Sequence, residues 1–309
     1  MNQISEKELS EFIQELLVEA SAAISPGKVL LFINDGLPQN IDVQTFVESN
    51  GNYHINIRPE CLGNDYKISH EILHLSVRKL VPNFVRVIEP NIIGMIGMEL
   101  QGYLEHNWIL AEQKRRGLQI DELELYSNIE DTLESDQDKI EQNFSKILTL
   151  NNILHSYPNV YEKNKEFFHK NNPKSLEMSR KIMSHYPNQE LYSNYEARKA
   201  TLQAIKEWNN IFSETSMKSV NLKILLSIVP VFSVAQLKRS AGVILGLIPN
   251  AIINNEKDTS SHVLYTMNDG QCCVVFSMDE NGLKAIQSYL HRMTLEEFLD
   301  MAKTHYLLR

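Results

Sequence analysis

The five residues from His70 to His74 constrain this chain more than any other stretch, because they read H-E-x-x-H. On an α-helix, residues four apart lie one turn apart on the same face, so the two imidazoles can bind one metal ion together. Glu71 lies about 100° around that helix, close enough to take a proton from a water molecule on the metal. The motif therefore predicts a helix that carries two ligands for Zn²⁺ and a general base.

A catalytic zinc site needs a third protein ligand and an open position for water. A long helix is predicted at residues 92–116, because basic residues at its end and Gly117 after it suit a helix C-terminus. Three of its residues are candidates for the third ligand, in the order His106, Glu105 and Glu99. Glu99 and His106 are seven apart and share a face, whereas Glu105 points about 100° away from His106. The spacing leaves the choice open.

The composition is that of an ordinary globular protein, with 309 residues of which 43% are hydrophobic and 22% charged. A formal net charge of −9 argues against direct nucleic-acid binding, because affinity for phosphate comes mainly from Lys and Arg. Cys61 and the adjacent pair Cys272 and Cys273 do not suit a disulfide framework, which favours a reducing compartment. The apolar runs at 224–235 and 241–253 are too short to span a bilayer. A cytoplasmic protein without a membrane span is expected, and its oligomeric state stays open.

The elements expected before the motif are one helix and three strands. An amphipathic helix starts near the N-terminus, where the spacing of Ser5 and Glu8 predicts a capping box. A buried strand follows at 28–34, and strands at 43–48 and 53–58 are joined by an Asn-Gly turn, a strong hairpin signal. The strand at 53–58 is the candidate for a sheet edge that holds an extended peptide, with an interior strand as the alternative.

The whole pattern predicts an α+β fold in three parts. Residues 1–120 hold the small sheet, the motif helix and the helix facing it. Residues 121–250 are mainly helical. Residues 251–309 contribute a second hairpin, with strands at 263–267 and 271–277, and a terminal helix.

The motif and the predicted second helix together resemble the zincin metallopeptidases. Within that group, Glu99-Leu100-Gln101-Gly102 resembles the gluzincin arrangement, in which a ligand Glu is followed one turn later by a small residue. ImmA/IrrE-type bacterial peptidases, which cleave repressors, show this layout. This sequence departs from it at Tyr103, where those families commonly carry Asp or Asn.

A second resemblance involves Glu105 and His106. The stretch Leu104-Glu105-His106-Asn107-Trp108-Ile109, ending at Gly117, is similar to a group of uncharacterised bacterial H-E-x-x-H proteins with a Glu-His or Asp-His pair on the second helix. The matched portion covers residues 53–120, less than half of the chain. These resemblances imply a bacterial zincin-like domain in the N-terminal part.

The expected function is zinc-dependent hydrolysis, with a protein or peptide as substrate. Zn²⁺ would polarise the scissile carbonyl, while Glu71 would act as general base and return the proton to the leaving amine. The alternative is a zinc-stabilised regulatory or protein-interaction module without peptidase activity. In that alternative, four protein ligands close the metal site.

Overall fold

The computed structural model describes residues 2–38, 42–87, 91–118, 133, 143–215, 217–218, 220–253, 256–257 and 261–309. The fold is of the predicted α+β class. The chain divides into two compact units. The first comprises Met1–Pro82, Glu105–Ser127 and Gln189–Leu191, and the second comprises Asn83–Leu104, Asn128–Asn188 and Tyr192–Arg309. The three-part division of the sequence at residues 120 and 250 stays a prediction.

A four-stranded sheet forms the framework of the first unit. Its strands are β1 (Asn2–Gln3), β2 (Val29–Ile33), β3 (Val43–Val47) and β4 (Tyr53–Ile57), in the order β1-β2-β4-β3. β4 runs parallel to β2 and antiparallel to β3. The predicted hairpin is therefore confirmed, and Gly51 in its turn has φ of +87°, which favours glycine.

Two helices pack near this sheet in the first unit. Helix α1 (Glu11–Ile24) begins at Ser10, whose Oγ accepts a hydrogen bond from the backbone N–H of Ile13. The predicted cap at Ser5 was wrong for this helix. Ser5 instead precedes a separate 3₁₀ turn (Glu6–Glu8), where its backbone N–H donates to Glu8 Oε2, and the extended backbone of Ser10 breaks helical continuity between that turn and α1.

Helix α2 (Asp65–Val77) carries the H-E-x-x-H motif. Asn64 and Asp65 are the cap candidates that the sequence offers before this helix, and Asn64 is the N-cap, since its side chain accepts a hydrogen bond from the backbone N–H of Lys67 at 3.0 Å. The helix contacts α1 and also strands β3 and β4. Its buried apolar residues are Ile68, Ile72, Leu73, Leu75 and Val77. Because these residues cover several faces, α2 is an interior helix of the first unit.

Helix α3 (Ile92–Arg115) confirms the predicted long helix, and its part from Glu105 onward belongs to the first unit. It ends in a Schellman motif. The Gly117 N–H donates to the backbone carbonyl of Lys114, and the Leu118 N–H donates to the backbone carbonyl of Gln113, both at 3.0 Å. Gly117 has φ of +82°, as a C′ glycine requires. The C-terminus of α3 is therefore set by its local sequence.

The rest of the second unit is mostly helical up to Ser213. After α3, its helices are α4 (Phe144–Ser156), α5 (Pro158–Lys163), α6 (Lys165–Asn171), α7 (Pro173–Met183), α8 (Asn194–Ser213), α9 (Leu222–Leu225), α10 (Val234–Leu237), α11 (Ala241–Ile244), α12 (Glu280–Arg292) and α13 (Leu295–Met301). Its strands are β5 (Val85–Val87), β6 (Leu226–Ile228), β7 (Val231–Phe232), β8 (Leu245–Ile248), β9 (Ile252–Ile253), β10 (Glu256–Lys257), β11 (Ser261–Thr266), β12 (Gln271–Ser277) and β13 (Leu307–Leu308).

The second predicted hairpin is confirmed as β11 and β12, which pair antiparallel, while β8 pairs on the other side of β11. Helix α13 begins at the capping box that the spacing of Thr294 and Glu297 predicts. The two apolar runs form short helices and strands. Within the described part of the chain, no helix has the length and apolar character needed to cross a membrane.

Candidate metal centre

Three histidines meet in the first unit. His70 and His74 come from α2, and His106 comes from α3. One ring nitrogen of each lies within 4.8 Å of those of the other two. The ring centroids form a nearly equilateral triangle, with sides of 5.0, 5.2 and 5.2 Å. Among the described residues, this is the only such group of histidine, cysteine and acidic side chains.

This donor set fits a metal ion. Tetrahedral zinc, with Zn–N bonds of about 2.0–2.1 Å, separates two ligand nitrogens by roughly 3.4 Å. The nitrogens here lie within 4.8 Å of one another. The imidazoles would have to move closer together to bind one ion, and rotation of the side chains can supply that movement. Imidazole suits zinc, copper, iron and nickel ions. Three protein ligands leave a fourth position open, which is the arrangement of catalytic zinc sites.

Glu105 lies against His74 and is not in the three-histidine group. Its Oε2 lies 2.7 Å from Nδ1 of His74, and the residue is only 6% exposed. Burial opposes protonation of His74, but the hydrogen bond and negative charge of Glu105 outweigh it, so the pKa of His74 is raised. With Nδ1 held by the carboxylate, Nε2 is the nitrogen left for a ligand.

His70 has a different neighbour, Gln113. Burial, and then the charge of His74, lower the pKa of His70 to about 3, and the Gln113 side chain partly offsets this. The Gln113 amide is itself held, because its NH₂ donates to the Tyr66 carbonyl at 2.8 Å and to Ser69 Oγ at 3.0 Å. A neutral imidazole is the form that binds metal. Gln113 was missed by sequence reasoning, although it lies seven residues after His106 on the same helix face.

Glu71, the predicted general base, is half-buried and held by a strand residue. Thr45 Oγ1 donates a 2.8 Å hydrogen bond to Glu71 Oε2. Thr45 is the central residue of β3, an edge strand of the sheet. No sequence signal identified Thr45, because it lies 26 residues before Glu71 and belongs to no motif.

The sheet edge beside Glu71 is β3, and not the strand at 53–58. β4 is bounded by β2 and β3, so the alternative of an interior strand is confirmed and the edge prediction was wrong. The physical reason is the parallel pairing of β4 with β2, which satisfies its second side. His54 on β4 pairs with Phe46 and so points to the sheet face opposite Thr45. It lies 3.2 Å from a carboxylate oxygen of Glu48 instead.

Glu99, the remaining candidate ligand, belongs to the second unit and is not in the three-histidine group. Burial raises the pKa of Glu99 to about 7, and the side chain of Tyr103 partly offsets this. Tyr103 is fully buried against the rings of His155 and Tyr186, with centroid distances of 5.2 and 5.4 Å. Glu99 therefore lies in a buried polar cluster of the second unit.

Cys61 also stays outside the histidine group. It is 5% exposed, and its thiol is free. Burial raises its pKa, which disfavours the thiolate that a metal would bind.

Comparison of this chain with protein-family models, with curated proteins and with solved structures finds no match.

Proposed function

We propose that this protein is a zinc-dependent hydrolase that cleaves peptide bonds, with a zincin-like arrangement in its first unit. His70, His74 and His106 would hold Zn²⁺, and Glu71 would act as general base. The observation that carries the proposal is that His106 of α3 meets His70 and His74 of α2, the helix that also bears Glu71. Three ligands and a neighbouring carboxylate are the parts that metal-assisted hydrolysis needs.

Bound zinc would supply a Lewis acid that polarises the scissile carbonyl and lowers the pKa of water toward about 7. The side chains of the protein do the rest. Glu71 accepts a proton from the attacking water and returns it to the leaving amine. Thr45 holds one carboxylate oxygen of Glu71, which restricts rotation of that side chain. Glu105 orients the imidazole of His74.

The edge strand β3 supports a peptide as the substrate. An extended peptide can add to a sheet edge through main-chain hydrogen bonds, with alternate side chains facing the two sides. Such a peptide, placed along β3, would pass beside Thr45 and therefore beside Glu71. Phe46 and Val47 are 46% and 57% exposed at this edge, which gives it apolar contact surface. We expect the protein to act on peptide segments in the cytoplasm, and we expect no nucleic-acid partner.

The decisive experiment combines metal content with turnover. Purified wild-type protein and Glu71→Gln are measured for bound zinc and for cleavage of a mixed peptide library by mass spectrometry. Loss of a general base costs about 10²–10⁴-fold in rate, so the variant should keep its zinc and lose detectable cleavage. Glu15→Gln, at an exposed position of α1, is the matched control and should cleave like the wild type.

Two results would contradict the proposal. If Glu71→Gln cleaves as fast as the wild type, Glu71 is not the general base. If the wild-type protein holds zinc but cleaves no peptide in the library, the zinc-stabilised interaction module becomes the better description. Zinc bound by four protein ligands, shown by X-ray absorption spectroscopy, would favour that module as well.

A further inference from the structure

A cavity of about 630 Å³ opens in the second unit, which does not contain the histidine group. Its walls come from α8, β7, α10, α11 and the turn of the β11–β12 hairpin. This volume falls within the range of about 300–1,000 Å³ that is typical of small-molecule sites. The cavity therefore has the size of a binding site for a small organic molecule.

The charge of the cavity is opposite to that of the chain. Counting side chains only, its lining contains four cations, Arg198, Lys199, Arg239 and Arg309, and a single carboxylate, Asp269. The chain as a whole has a net charge of −9. Four cations collected in one concavity of an acidic protein produce a local positive potential, which attracts anions.

Asp269 does not cancel this potential, because Arg198 already neutralises it. The Arg198 guanidinium donates to Asp269 Oδ2 at 2.8 Å, to Thr266 Oγ1 at 3.1 Å and to the Val229 carbonyl at 3.2 Å. Arg198 is buried, with 6% exposure, so this network is a fixed floor of the cavity. Lys199, Arg239 and Arg309 have no carboxylate within 4.0 Å in the described part of the chain.

The rest of the lining suits a planar or apolar body attached to the anion. Tyr195 is 48% exposed, and the Arg309 guanidinium lies 4.8 Å above its ring. Val243 and Met267 also line the cavity and are 52% and 54% exposed. The cavity thus places an aromatic ring and two exposed apolar side chains next to three available cations. This lining matches a ligand with a ring at one end and negative charge at the other.

We propose that this cavity binds a small organic phosphate of about nucleotide size. Lys199 and Arg239 would contact the phosphate oxygens, and Tyr195 would contact the ring. A phosphate carries up to two negative charges and at least three acceptor oxygens, so it can use several separate cations, whereas a single carboxylate carries one charge. The site is independent of the proposed hydrolase activity, since none of its residues belongs to the first unit.

The test is isothermal titration calorimetry on the full-length protein. The probes are AMP, GMP, CMP and UMP, with adenosine and inorganic phosphate as partial ligands. At least one nucleotide should bind more tightly than both partial ligands, and its affinity should fall as salt is raised. Lys199→Gln and Arg239→Gln should each lower the affinity for that nucleotide about tenfold, which is the loss expected for one charge-assisted contact.

Matched controls are available at neighbouring exposed positions. Lys206→Gln lies on the same helix as Lys199, and Lys238→Gln is adjacent to Arg239, and neither residue lines the cavity. Both controls should bind the nucleotide like the wild type. The proposal is overturned if no nucleotide binds at about 1 mM, a concentration that detects weak sites. It is also overturned if adenosine binds as tightly as AMP, or if the controls weaken binding as much as the cavity variants.

Discussion

Nδ1 of His74 lies 2.7 Å from Oε2 of Glu105, a glutamate that is only 6% exposed. A buried carboxylate is costly unless it is paired, and His74 is one of the partners of Glu105. It also fixes which nitrogen of His74 carries the proton, and it leaves Nε2 for a ligand. The pair links α2 to α3 across 31 positions of sequence.

The first prediction concerns Glu105→Gln. The amide can still accept a hydrogen bond from His74, but it lacks the negative charge that makes the imidazole a stronger ligand. Removal of a carboxylate that hydrogen-bonds a metal-binding histidine typically lowers metal affinity about 10–100-fold, and we expect a decrease of that size here. Competition with a fluorescent zinc chelator measures it. Glu99→Gln is the control and should leave the affinity unchanged. If Glu99→Gln instead removes zinc while Glu105→Gln does not, Glu99 is the third ligand and His106 is not.

The second prediction concerns Thr45, which donates to Glu71 at 2.8 Å. Thr45→Val keeps the shape of the side chain and removes the donor. We expect kcat to fall about 10- to 150-fold, because a hydrogen bond to a charged group contributes about 1.5–3 kcal/mol, while KM and zinc content stay as in the wild type. Thr45→Ser should restore kcat, since it returns the hydroxyl. Gln44→Ala, on the opposite face of β3, serves as control. If Thr45→Val has the same kcat as the wild type, Thr45 does not position Glu71.

Local signals predicted the helices of this site well. The motif spacing, the cap at Asn64 and the stop at Gly117 gave α2 and α3 their approximate ends. These features depend on residues within a few positions of each other, so they can be recognised in sequence. The two hairpins were predictable for the same reason, because turn residues decide them.

Long-range packing explains what the sequence could not predict. His106 and Glu99 share a helix face, so helical periodicity alone could not choose between them. Only the packing of α2 beside the C-terminal part of α3 brings His106 to the other two histidines. The pairing of β2 with β4 is also non-local, and it decided that β3, with Thr45, forms the edge near Glu71.

The third prediction is that zinc stabilises the first unit. A metal that binds only the folded state adds about 2.7 kcal/mol at a free concentration 100 times its Kd, which corresponds to an increase in Tm of about 10–15 °C for a unit of roughly 110 residues. Differential scanning fluorimetry with added zinc or chelator measures this. His106→Ala should remove most of the increase. His54→Ala should keep it, because His54 lies on the sheet face away from Thr45. An equal response of His106→Ala and the wild type would contradict the assignment of His106 as a ligand.

The fourth prediction concerns acid stability and His155 in the second unit. His155 Nε2 lies 2.9 Å from the Tyr103 carbonyl, and burial lowers its pKa to about 4. An unfolded histidine takes up its proton near pH 6.5. Between these two values the unfolded state binds more protons than the folded one, so the free energy of unfolding decreases as pH falls from about 6.5 to about 4. The total loss from this group is on the order of 3 kcal/mol.

His155→Gln retains an N–H donor for the Tyr103 carbonyl and cannot titrate. Urea unfolding from pH 7 to pH 4, with chelator present to remove the contribution of metal, should give a shallower pH dependence for this variant than for the wild type. His305→Gln, at an exposed position, controls for removal of an imidazole and should not reproduce the effect. Parallel pH curves for His155→Gln and the wild type would show that His155 is not the group whose burial weakens the fold in acid.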